Sequence, residues 1–349
     1  MKCLLFPFSL LYSLIMRVRN WCFDSNIFEH YDHSKATIGV GNLRLGGTGK
    51  TPMIEYLAEL LGSDYKTVVL SRGYGRKTKG YLLASDKDIA STIGDEPAQI
   101  HSKFKNIAVA VSESRKIGLQ NLLVDLPEHQ VVLLDDVMQH RAVNPGLKIM
   151  LTTFSNPFFE DFVLPMGRLR EARSGAKRAD IIVVTKCPTN LSISQMHTFE
   201  KLINPKANKS VFFSTELYKN IAHIQDSEKK PLDFLIGKNV VLLTGLASAK
   251  SVVEFVKSMS NLLKHFEFAD HHAFTEKELS SVISFVNAKN DEKTLVLTTE
   301  KDAQRLRVLA DFEKFATLPV YVLPLSIEFL RDSEQAFKNR IVDYVKSNS

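Results

Sequence analysis

Cysteine and tryptophan are scarce in this sequence, which has three cysteines and one tryptophan among 349 residues. Cys3, Cys22 and Cys187 lie far apart and form no Cys-x-x-Cys or Cys/His pattern, so neither a disulfide framework nor a zinc site is predicted. The sequence also has no long polar tract of the kind that remains disordered. These absences exclude a small disulfide-stabilised secreted module and indicate an ordinary folded protein of a reducing compartment.

The length and charge of the chain limit its class. With 349 residues, of which 44% are hydrophobic, the chain is long enough for two α/β domains. Its formal net charge of +6 and its pI near 9.0 favour an anionic partner. Nucleotides, membrane surfaces and nucleic acids are all anionic, so the charge alone does not choose among them.

The N-terminus is apolar from Leu4 to Met16 and is then closed by Arg17, Arg19 and the single tryptophan, Trp21. This run is shorter than the roughly 20 apolar residues that span a bilayer, and no small-residue cleavage site follows it. On a helix its polar residues form one narrow stripe, which consists of Lys2, Ser9, Ser13, Arg17 and Asn20. Two interpretations remain, a helix in the lipid interface and a helix packed on the protein's own core. We favour a membrane-associated helix over residues 1–24, because cationic and aromatic flanks are typical of interfacial helices.

Beyond Asp32 the sequence alternates short β-branched runs with helical stretches, which predicts βαβ units around a mostly parallel sheet. The predicted strands are Ala36–Val40, Thr67–Leu70, Ile107–Val111, Val131–Leu134, Lys148–Thr152, Ile181–Thr185, Ser210–Ser214, Val240–Leu243, Thr294–Thr298 and Val320–Leu323. These strands are too many for one doubly wound sheet. We therefore expect a change of domain, and the polar segments 204–210 and 225–238 are the candidate boundaries.

Residues 44–51 read RLGGTGKT and lie between the predicted strand Ala36–Val40 and a predicted helix that begins at Thr51. A strand, a glycine-rich turn, a lysine and a helix in this order are typical of a phosphate-binding loop. The residues expected to contact a nucleotide are Arg44, Leu45, Gly46, Gly47, Thr48, Gly49, Lys50 and Thr51. Lys50 is predicted to reach the β- and γ-phosphates, and Thr51 is predicted to ligate Mg²⁺. Arg44 replaces the usual first glycine, and Leu45 stands where ParA-like switch ATPases have a lysine.

Several carboxylates are candidates to complete a kinase site. Asp135 and Asp136 end the predicted strand Val131–Leu134, where a Walker B acid holds Mg²⁺; the alternative is a pair of turn acids. Asp95 precedes a predicted helix and is either its N-cap or a general base that accepts a proton from an attacking hydroxyl. The Asp270-His271-His272 stretch lies in a polar gap, and its pattern alone does not separate a solvated loop from a catalytic one.

Taken together, these motifs resemble the tetraacyldisaccharide 4'-kinases of lipid A synthesis. The resemblance covers most of the chain and keeps the order of the motifs, which are Val40-Gly41-Asn42, Gly46–Pro52, Ser71-Arg72-Gly73-Tyr74, Gly94-Asp95-Glu96-Pro97, Asp135-Asp136 with Gln139-His140, Leu169-Arg170-Glu171, Phe268–His272 and Thr299–Ala303. It implies an enzyme that uses ATP and Mg²⁺ to phosphorylate the 4'-hydroxyl of a lipid disaccharide 1-phosphate. It also implies a location at the cytoplasmic face of the inner membrane of Gram-negative bacteria, which an apolar N-terminal helix would suit.

The same resemblance implies an architecture and roles for single residues. The expected fold is α/β, with a P-loop NTPase-like parallel-sheet kinase domain over residues 25–207 and a smaller C-terminal α/β subdomain over residues 208–349. Lys50 and Thr51 would serve the phosphates and Mg²⁺. Three carboxylates would hold or adjoin the metal, namely Asp135, Asp136 and Glu171. Asp95 would act on the 4'-hydroxyl with the assistance of His271.

The chain departs from the family pattern at a few positions. Val137-Met138 replaces a Gly-Phe pair after the two aspartates, Ala172 replaces a proline, and the proline expected near Gly245 is missing. A Cβ at the glycine position is expected to alter the turn that presents Asp136. We expect these changes to affect local geometry and substrate contacts more than the reaction.

Two other classes of function remain as alternatives. The first is a nucleotide-dependent switch or metal-delivery ATPase without a lipid acceptor, against which Leu45 and the lack of a cysteine pair count. The second is a basic protein that binds nucleic acid, which no recognition motif or basic-aromatic stripe supports. We expect a monomer whose partners are an acylated glucosamine disaccharide 1-phosphate and the membrane surface, with no nucleic-acid partner.

Overall fold

The computed structural model describes residues 2–203, 209–226, 228–270, 272–309 and 312–348. The chain divides into two compact units. Unit 1 contains residues 1–87, 100–216 and 327–349, and unit 2 contains residues 88–99 and 217–326. This division differs from a single boundary between residues 207 and 208, because the strand that begins at Ser210 and the C-terminal helix both belong to unit 1. Most of the predicted boundary segment 204–210 lies outside the described residues.

Fifteen strands occur in the described residues. In chain order they are β1 (Ala36–Asn42), β2 (Thr67–Ser71), β3 (Leu82–Leu83), β4 (Ala108–Val111), β5 (Val131–Asp135), β6 (Leu147–Thr153), β7 (Ile181–Thr185), β8 (Ser210–Tyr218), β9 (Asn220–His223), β10 (Lys229–Pro231), β11 (Asn239–Gly245), β12 (Asn261–Phe268), β13 (Thr294–Thr299), β14 (Val320–Leu323) and β15 (Leu325–Phe329).

The described residues also form eleven α-helices. They are α1 (Lys2–Asp24), α2 (Lys50–Gly62), α3 (Ala90–Ile93), α4 (Asp95–Lys103), α5 (Arg115–Asp125), α6 (Ile193–Ile203), α7 (Lys250–Met259), α8 (Glu276–Asn287), α9 (Glu300–Leu306), α10 (Phe312–Phe315) and α11 (Glu334–Lys346). Short 3-10 helices lie at Phe158–Glu160, Arg173–Arg178 and Leu232–Leu235.

A nine-stranded sheet has the order β15-β8-β7-β6-β1-β5-β2-β4-β3. β1 is its middle strand and pairs in parallel with β5 on one side and β6 on the other. In the pairing of β1 with β5, Val40 lies opposite Asp135. The carboxyl ends of these two strands therefore meet, and the phosphate loop that follows β1 emerges beside the two aspartates that follow β5.

The central strands are buried on both faces. Every residue of β1 and β7 is buried, as expected of parallel strands with helices on either side. Apolar side chains of α2 and α11 form a single cluster with β1, β5 and β6, whereas side chains of α5 pack with β2, β4 and β5 in another cluster. The rigid sheet holds the ends of β1 and β5 in register, which is what a phosphate site requires.

Unit 2 has its own sheet, with the order β10-β9-β14-β13-β11-β12. Strands β11 to β14 pair in parallel, and β9 pairs antiparallel with β14 and β10. Helices α8, α9 and α10 contribute Val282, Leu306 and Phe315 to a core that also includes Val241 and Val296. Unit 2 is therefore a smaller α/β layer with a core separate from that of unit 1.

The predicted α/β class is confirmed, and each of the ten predicted strands is present with its ends shifted by at most four residues. Five strands were missed, namely β3, β9, β10, β12 and β15. β12 reads NLLKHFEF and lies at the edge of its sheet, where none of its residues is fully buried. An edge strand does not need a continuous apolar run, so its sequence gives no clear strand signal.

The predicted N-terminal helix is present as α1, which has 23 residues. One of its faces lies against the rest of unit 1, where Ser9 and Phe23 are buried. The opposite face exposes large apolar side chains, namely Phe6, Phe8, Leu10, Leu11, Leu14, Ile15, Val18 and Trp21. None of the helices in the described ranges combines the length and the apolarity that crossing a bilayer needs.

Candidate active site

The loop between β1 and α2 has the backbone of a phosphate cradle. Gly46 and Gly49 have φ angles of 115° and 85°, in the left-handed region that favours glycine. Gly49 is the N-cap of α2 and supplies no side-chain hydrogen bond to the helix, so the first N–H groups of α2 point outward for an anion. A Cβ added at Gly46 or Gly47 would meet no atom within 4 Å. This open, glycine-lined turn fits the phosphates of a nucleotide.

The cradle is held in place from two sides. Residues 43–45 pair with residues 168–170, with Arg170 N donating to Leu43 O at 2.7 Å and Leu45 N donating to Arg168 O at 2.8 Å. The hydroxyl of Thr185, at the end of β7, donates to Thr48 O at 2.9 Å. Two neighbouring segments therefore hold the loop through hydrogen bonds.

The side chain of Arg44 contacts another segment of the protein in this structure. Its Nε donates to Asp161 Oδ2 at 2.8 Å, and its NH2 group lies 3.4 Å from Asn156 Oδ1. The neighbouring Leu45 is 44% exposed. The predicted nucleotide contacts of Arg44 and Leu45 stay predictions. In this structure Arg44 connects the phosphate loop to the segment around Asp161.

Asp136 is the charged centre of the site. Its backbone has a φ of 51°, which turns the chain sharply at the end of β5. The Arg170 guanidinium donates a hydrogen bond of 2.8 Å to each carboxylate oxygen of Asp136, and Lys50 Nζ lies 3.8 Å from Oδ1. Burial alone would raise the pKa of Asp136, but the hydrogen bonds from Arg170 and the charge of Lys50 outweigh it and lower that pKa to about 2. Asp136 is therefore an anion at any working pH.

The neighbouring Asp135 has a different setting, because it still belongs to the strand. Ser71 Oγ donates to Asp135 Oδ2 at 3.2 Å, and the buried guanidinium of Arg115 donates to the Asp135 carbonyl at 2.8 Å. Burial lowers the pKa of Arg115 to about 10, so it remains a cation near neutral pH. Sequence reasoning missed Arg115, since Ser114-Arg115 reads only as the start of a helix.

Glu171, a predicted metal ligand, is only 1% exposed and is bonded by side chains of the protein. Arg178 donates to both of its oxygens, at 2.7 and 2.8 Å. Gln139 donates to Oε1 and Asn20 donates to Oε2, each at 2.9 Å. Glu171 therefore holds protein segments together in this structure, and its role as a metal ligand stays a prediction.

The donor set suits Mg²⁺ in the form that nucleotide enzymes bind it. Within the described residues, no three His, Cys, Asp or Glu side chains are grouped as a ready-made metal cage. Mg²⁺ keeps several waters and is usually bound through one or two protein oxygens together with substrate phosphates. Thr51 is the second residue of α2, beside Lys50, and Asp136 is a permanent anion next to Lys50, so this pair fits that mode.

Asp95 lies in unit 2, at the first position of α4, within a network of charged side chains. Its Oδ2 is 3.3 Å from Arg305 Nε, and Arg305 NH2 is 3.3 Å from the buried Asp302. Lys301 lies 3.4 Å from both Glu96 and Asp270. The structure thus brings the Gly94–Pro97, Asp270 and Thr299–Ala303 motifs together around Asp95.

The second predicted member of this group, His271, lies outside the described residues. Its neighbour His272 stacks on Phe268 with ring centroids 4.6 Å apart. His272 Nε2 is also 3.0 Å from a carboxylate oxygen of Glu278, whose backbone N–H is capped by Thr275. His272 is therefore part of the local packing at the start of α8.

The Val137-Met138 departure is accommodated by glycines in β1. A Cβ at Gly39 would lie 2.5 Å from Val137 Cγ1, and a Cβ at Gly41 would lie 2.6 Å from Met138 Cγ. Both distances are shorter than any real contact of a Cβ atom. The two larger side chains thus occupy the space that the glycines leave, and the unusual φ falls on Asp136 instead of on Val137.

Comparison with known proteins identifies the family. The family model described as tetraacyldisaccharide-1-P 4'-kinase matches residues 1–346. Proteins named tetraacyldisaccharide 4'-kinase are 37% identical in Bacteroides thetaiotaomicron, 38% in Flavobacterium johnsoniae and 40% in Flavobacterium psychrophilum. The alignments cover 99 to 100% of this chain and 93 to 98% of those proteins.

A solved structure agrees with the sequence comparison. The crystal structure of LpxK from Aquifex aeolicus in complex with ATP superimposes with a TM-score of 0.77 at 28% identity, and the match covers 99% of each chain. The predicted family resemblance is thereby confirmed over both units. With its family match over residues 1–346 and its open phosphate loop, the chain belongs to the tetraacyldisaccharide-1-P 4'-kinase family.

Proposed function

We propose that this chain transfers the γ-phosphate of ATP to the 4'-hydroxyl of a tetraacyldisaccharide 1-phosphate at a membrane surface. As a family member it is an ATP-dependent kinase of lipid A biosynthesis, with Mg²⁺ as the expected metal. The observation that carries the proposal is the grouping of Lys50, Asp136 and Arg170 beside an open glycine turn. Such a site has the charges needed to hold a nucleotide triphosphate and its metal.

The phosphate loop holds the donor. The N–H groups of Gly46 to Lys50 surround the phosphates, and the Lys50 ammonium neutralises the oxygens that gain charge during transfer. Thr51 and Asp136 would hold Mg²⁺, with Asp135 next to them and Glu171 assisting. When bound, Mg²⁺ supplies further neutralisation of the phosphate charge. Arg170 keeps the Asp136 carboxylate in one orientation, since it contacts both of its oxygens.

Asp95 prepares the acceptor. Its carboxylate accepts the proton of the 4'-hydroxyl as the oxygen attacks the γ-phosphorus, and His271 assists. Arg305, at 3.3 Å, orients that carboxylate. The acceptor oxygen takes the phosphoryl group, the bond to the β-phosphate oxygen breaks, and ADP leaves. The proton passes from the sugar hydroxyl to the Asp95 carboxylate.

The acceptor is a lipid, and α1 offers a surface for it. The eight apolar side chains named above for the outer face of α1 are each at least 50% exposed, and Arg17 is exposed next to them. Apolar burial into the interface and attraction of arginine to anionic headgroups are the two terms that hold an amphipathic helix on a membrane. We place the enzyme as a peripheral monomer at the cytoplasmic face of a Gram-negative inner membrane.

The test is phosphoryl transfer from γ-labelled ATP with Mg²⁺, in detergent micelles with and without a tetraacyldisaccharide 1-phosphate. We expect label at the 4' position only when the acceptor is present. Lys50→Ala should reduce the rate by about 10²- to 10³-fold, because it removes a cation at the transferred phosphate. Asp95→Asn should reduce it by about 10²- to 10⁴-fold, which is the usual contribution of a general base.

Matched controls separate these roles from general damage. Lys66→Ala and Asp86→Asn change exposed residues of the same types and should leave the rate within about twofold. Label released as inorganic phosphate at the same rate with and without acceptor would overturn the proposal in favour of a switch ATPase. Full activity of Asp95→Asn would overturn the assignment of the base.

A further inference from the structure

The face of α1 that lies against the rest of unit 1 makes a row of polar contacts. Tyr12 OH donates to Arg170 O at 3.0 Å, and Asn20 Nδ2 donates to Glu171 Oε2 at 2.9 Å. Arg19 NH2 donates to Gln139 O at 3.0 Å. Ser9 is buried, and its hydroxyl bonds to both Val163 O and Met166 N. Tyr12, Arg19 and Asn20 therefore contact the two segments that frame the proposed metal site, 136–139 and 168–171, and Ser9 contacts the neighbouring segment 163–166.

A short series of hydrogen bonds and ion pairs connects these contacts to the phosphate site. Asn20 donates a hydrogen bond to Glu171. Arg170, the residue before Glu171, donates two hydrogen bonds of 2.8 Å to Asp136. Asp136 in turn lies 3.8 Å from Lys50. Arg170 also donates its backbone N–H to Leu43 at the start of the phosphate loop. A displacement of the 170–171 segment would thus move the carboxylate and the loop together.

The chemistry of these contacts is not what lipid anchoring needs. An interfacial helix is held by apolar side chains and by cations near headgroups. A neutral amide aimed at a buried carboxylate, and a phenol aimed at a single backbone carbonyl, add nothing to lipid affinity. They do fix the distance and rotation of the helix relative to residues 170 and 171. Because Glu171 is 1% exposed, water does not readily replace the Asn20 bond.

We propose that α1 is a positioning element of the kinase site, in which Asn20 and Tyr12 hold the Arg170–Glu171 segment and thereby the Asp136 carboxylate. The two faces of the helix then have separate functions. The inner face sets the catalytic geometry, and the outer face binds the lipid surface. The kinetic test of this inference rests on the proposed function, whereas a test by hydrogen exchange does not.

The kinetic test separates the two faces of α1 by the parameter that each one moves. In the micelle assay, Asn20→Ala should lower kcat by about tenfold and Tyr12→Phe by about threefold, each with the KM for acceptor within twofold of wild type. Leu14→Ala, on the outer face, should raise the acceptor concentration needed for half-maximal rate at least threefold. Asn339→Ala changes an exposed asparagine of α11 and is the matched control, with kcat unchanged.

A structural test needs neither ATP nor acceptor. The Arg170 amide, which donates to Leu43 O, should exchange its hydrogen at least fivefold faster in Asn20→Ala and in Tyr12→Phe than in wild type or Asn339→Ala. Tyr12→Phe removes a single hydroxyl and serves if Asn20→Ala does not fold. Unchanged exchange at Arg170 together with unchanged kcat in both variants would overturn the inference. If the wild type shows no transfer to the lipid, the proposed function fails, and the exchange result alone decides the role of α1.

Discussion

Replacing Arg170 by methionine tests the central contact of the site. The substitution keeps a long apolar side chain but removes the guanidinium that contacts both oxygens of Asp136 at 2.8 Å. It also removes the donor that bonds to the backbone and side-chain oxygens of Asn42 at the end of β1. Asp136 would keep its negative charge, with the Lys50 ammonium at 3.8 Å. We therefore expect both stability and activity to fall.

The magnitude follows from burial and from the number of bonds. Removing one partner of a fully buried ion pair costs about 3–5 kcal/mol. The Arg170 side chain is 18% exposed and that of Asp136 is 33% exposed, so water recovers part of this energy. We expect Arg170→Met to lower the free energy of unfolding by about 2–3 kcal/mol. A displacement of Asp136 by about 1 Å would also lower kcat by about 10²-fold.

Urea unfolding and initial rates of transfer measure the two effects. Arg170→Lys keeps the charge but loses the two-pronged geometry, so its values should fall between those of wild type and Arg170→Met. Arg168→Met removes an exposed arginine two residues away and should change the free energy of unfolding by less than about 0.5 kcal/mol. The reasoning is refuted if the free energy of unfolding of Arg170→Met lies within about 0.5 kcal/mol of that of Arg168→Met and if its kcat equals that of wild type. A difference of this size is typical of surface substitutions.

Three further results are expected. Burial, with the neighbouring charge of His129, lowers the pKa of His33 to about 4, so the unfolded chain binds more protons as the pH falls. The contribution of His33 to stability should therefore fall by about 1 kcal/mol between pH 7 and pH 4, and urea titrations of His33→Gln should show a pH slope that is smaller by this amount than that of wild type. Gly41→Ala would place a Cβ 2.6 Å from Met138 Cγ, so it should lower the free energy of unfolding by about 1–3 kcal/mol. An unchanged free energy of unfolding would show that the loop around Met138 moves to accommodate the added methyl group. Burial raises the pKa of the Cys187 thiol to about 12, so iodoacetamide at pH 8 should leave Cys187 unmodified in the native protein, as mass spectrometry of its peptide would show.

Much of the fold was predictable because its signals are local. The buried parallel strands are short, mostly apolar runs that contain β-branched residues, and all ten of the predicted strands are present. The phosphate loop was predictable as well, since its glycine-rich turn and the helix after it follow from eight consecutive residues; the helix begins at Lys50, one residue before the predicted Thr51. The edge strand β12 was missed because its residues stay partly exposed and carry no apolar pattern.

The roles of the charged side chains were less predictable. The prediction that Glu171 helps to hold a metal did not reveal that its oxygens accept hydrogen bonds from Arg178, Gln139 and Asn20. The prediction that Arg44 contacts a nucleotide likewise did not reveal its ion pair with Asp161. A carboxylate or guanidinium in a motif has the same letter whether it meets a ligand or another side chain, so the pattern does not reveal its partner.

The sequence by itself determined the α/β class, the phosphate loop after β1 and the acids after β5, because each depends on short-range rules of strand, turn and helix. Only the tertiary structure decided which cation restrains Asp136, since Arg170 lies 34 residues further along the chain. It alone showed that Asn20 reaches Glu171 across 151 residues and that α1 thereby adjoins the kinase site. Such contacts depend on how whole elements pack, and no local pattern of residues specifies that packing.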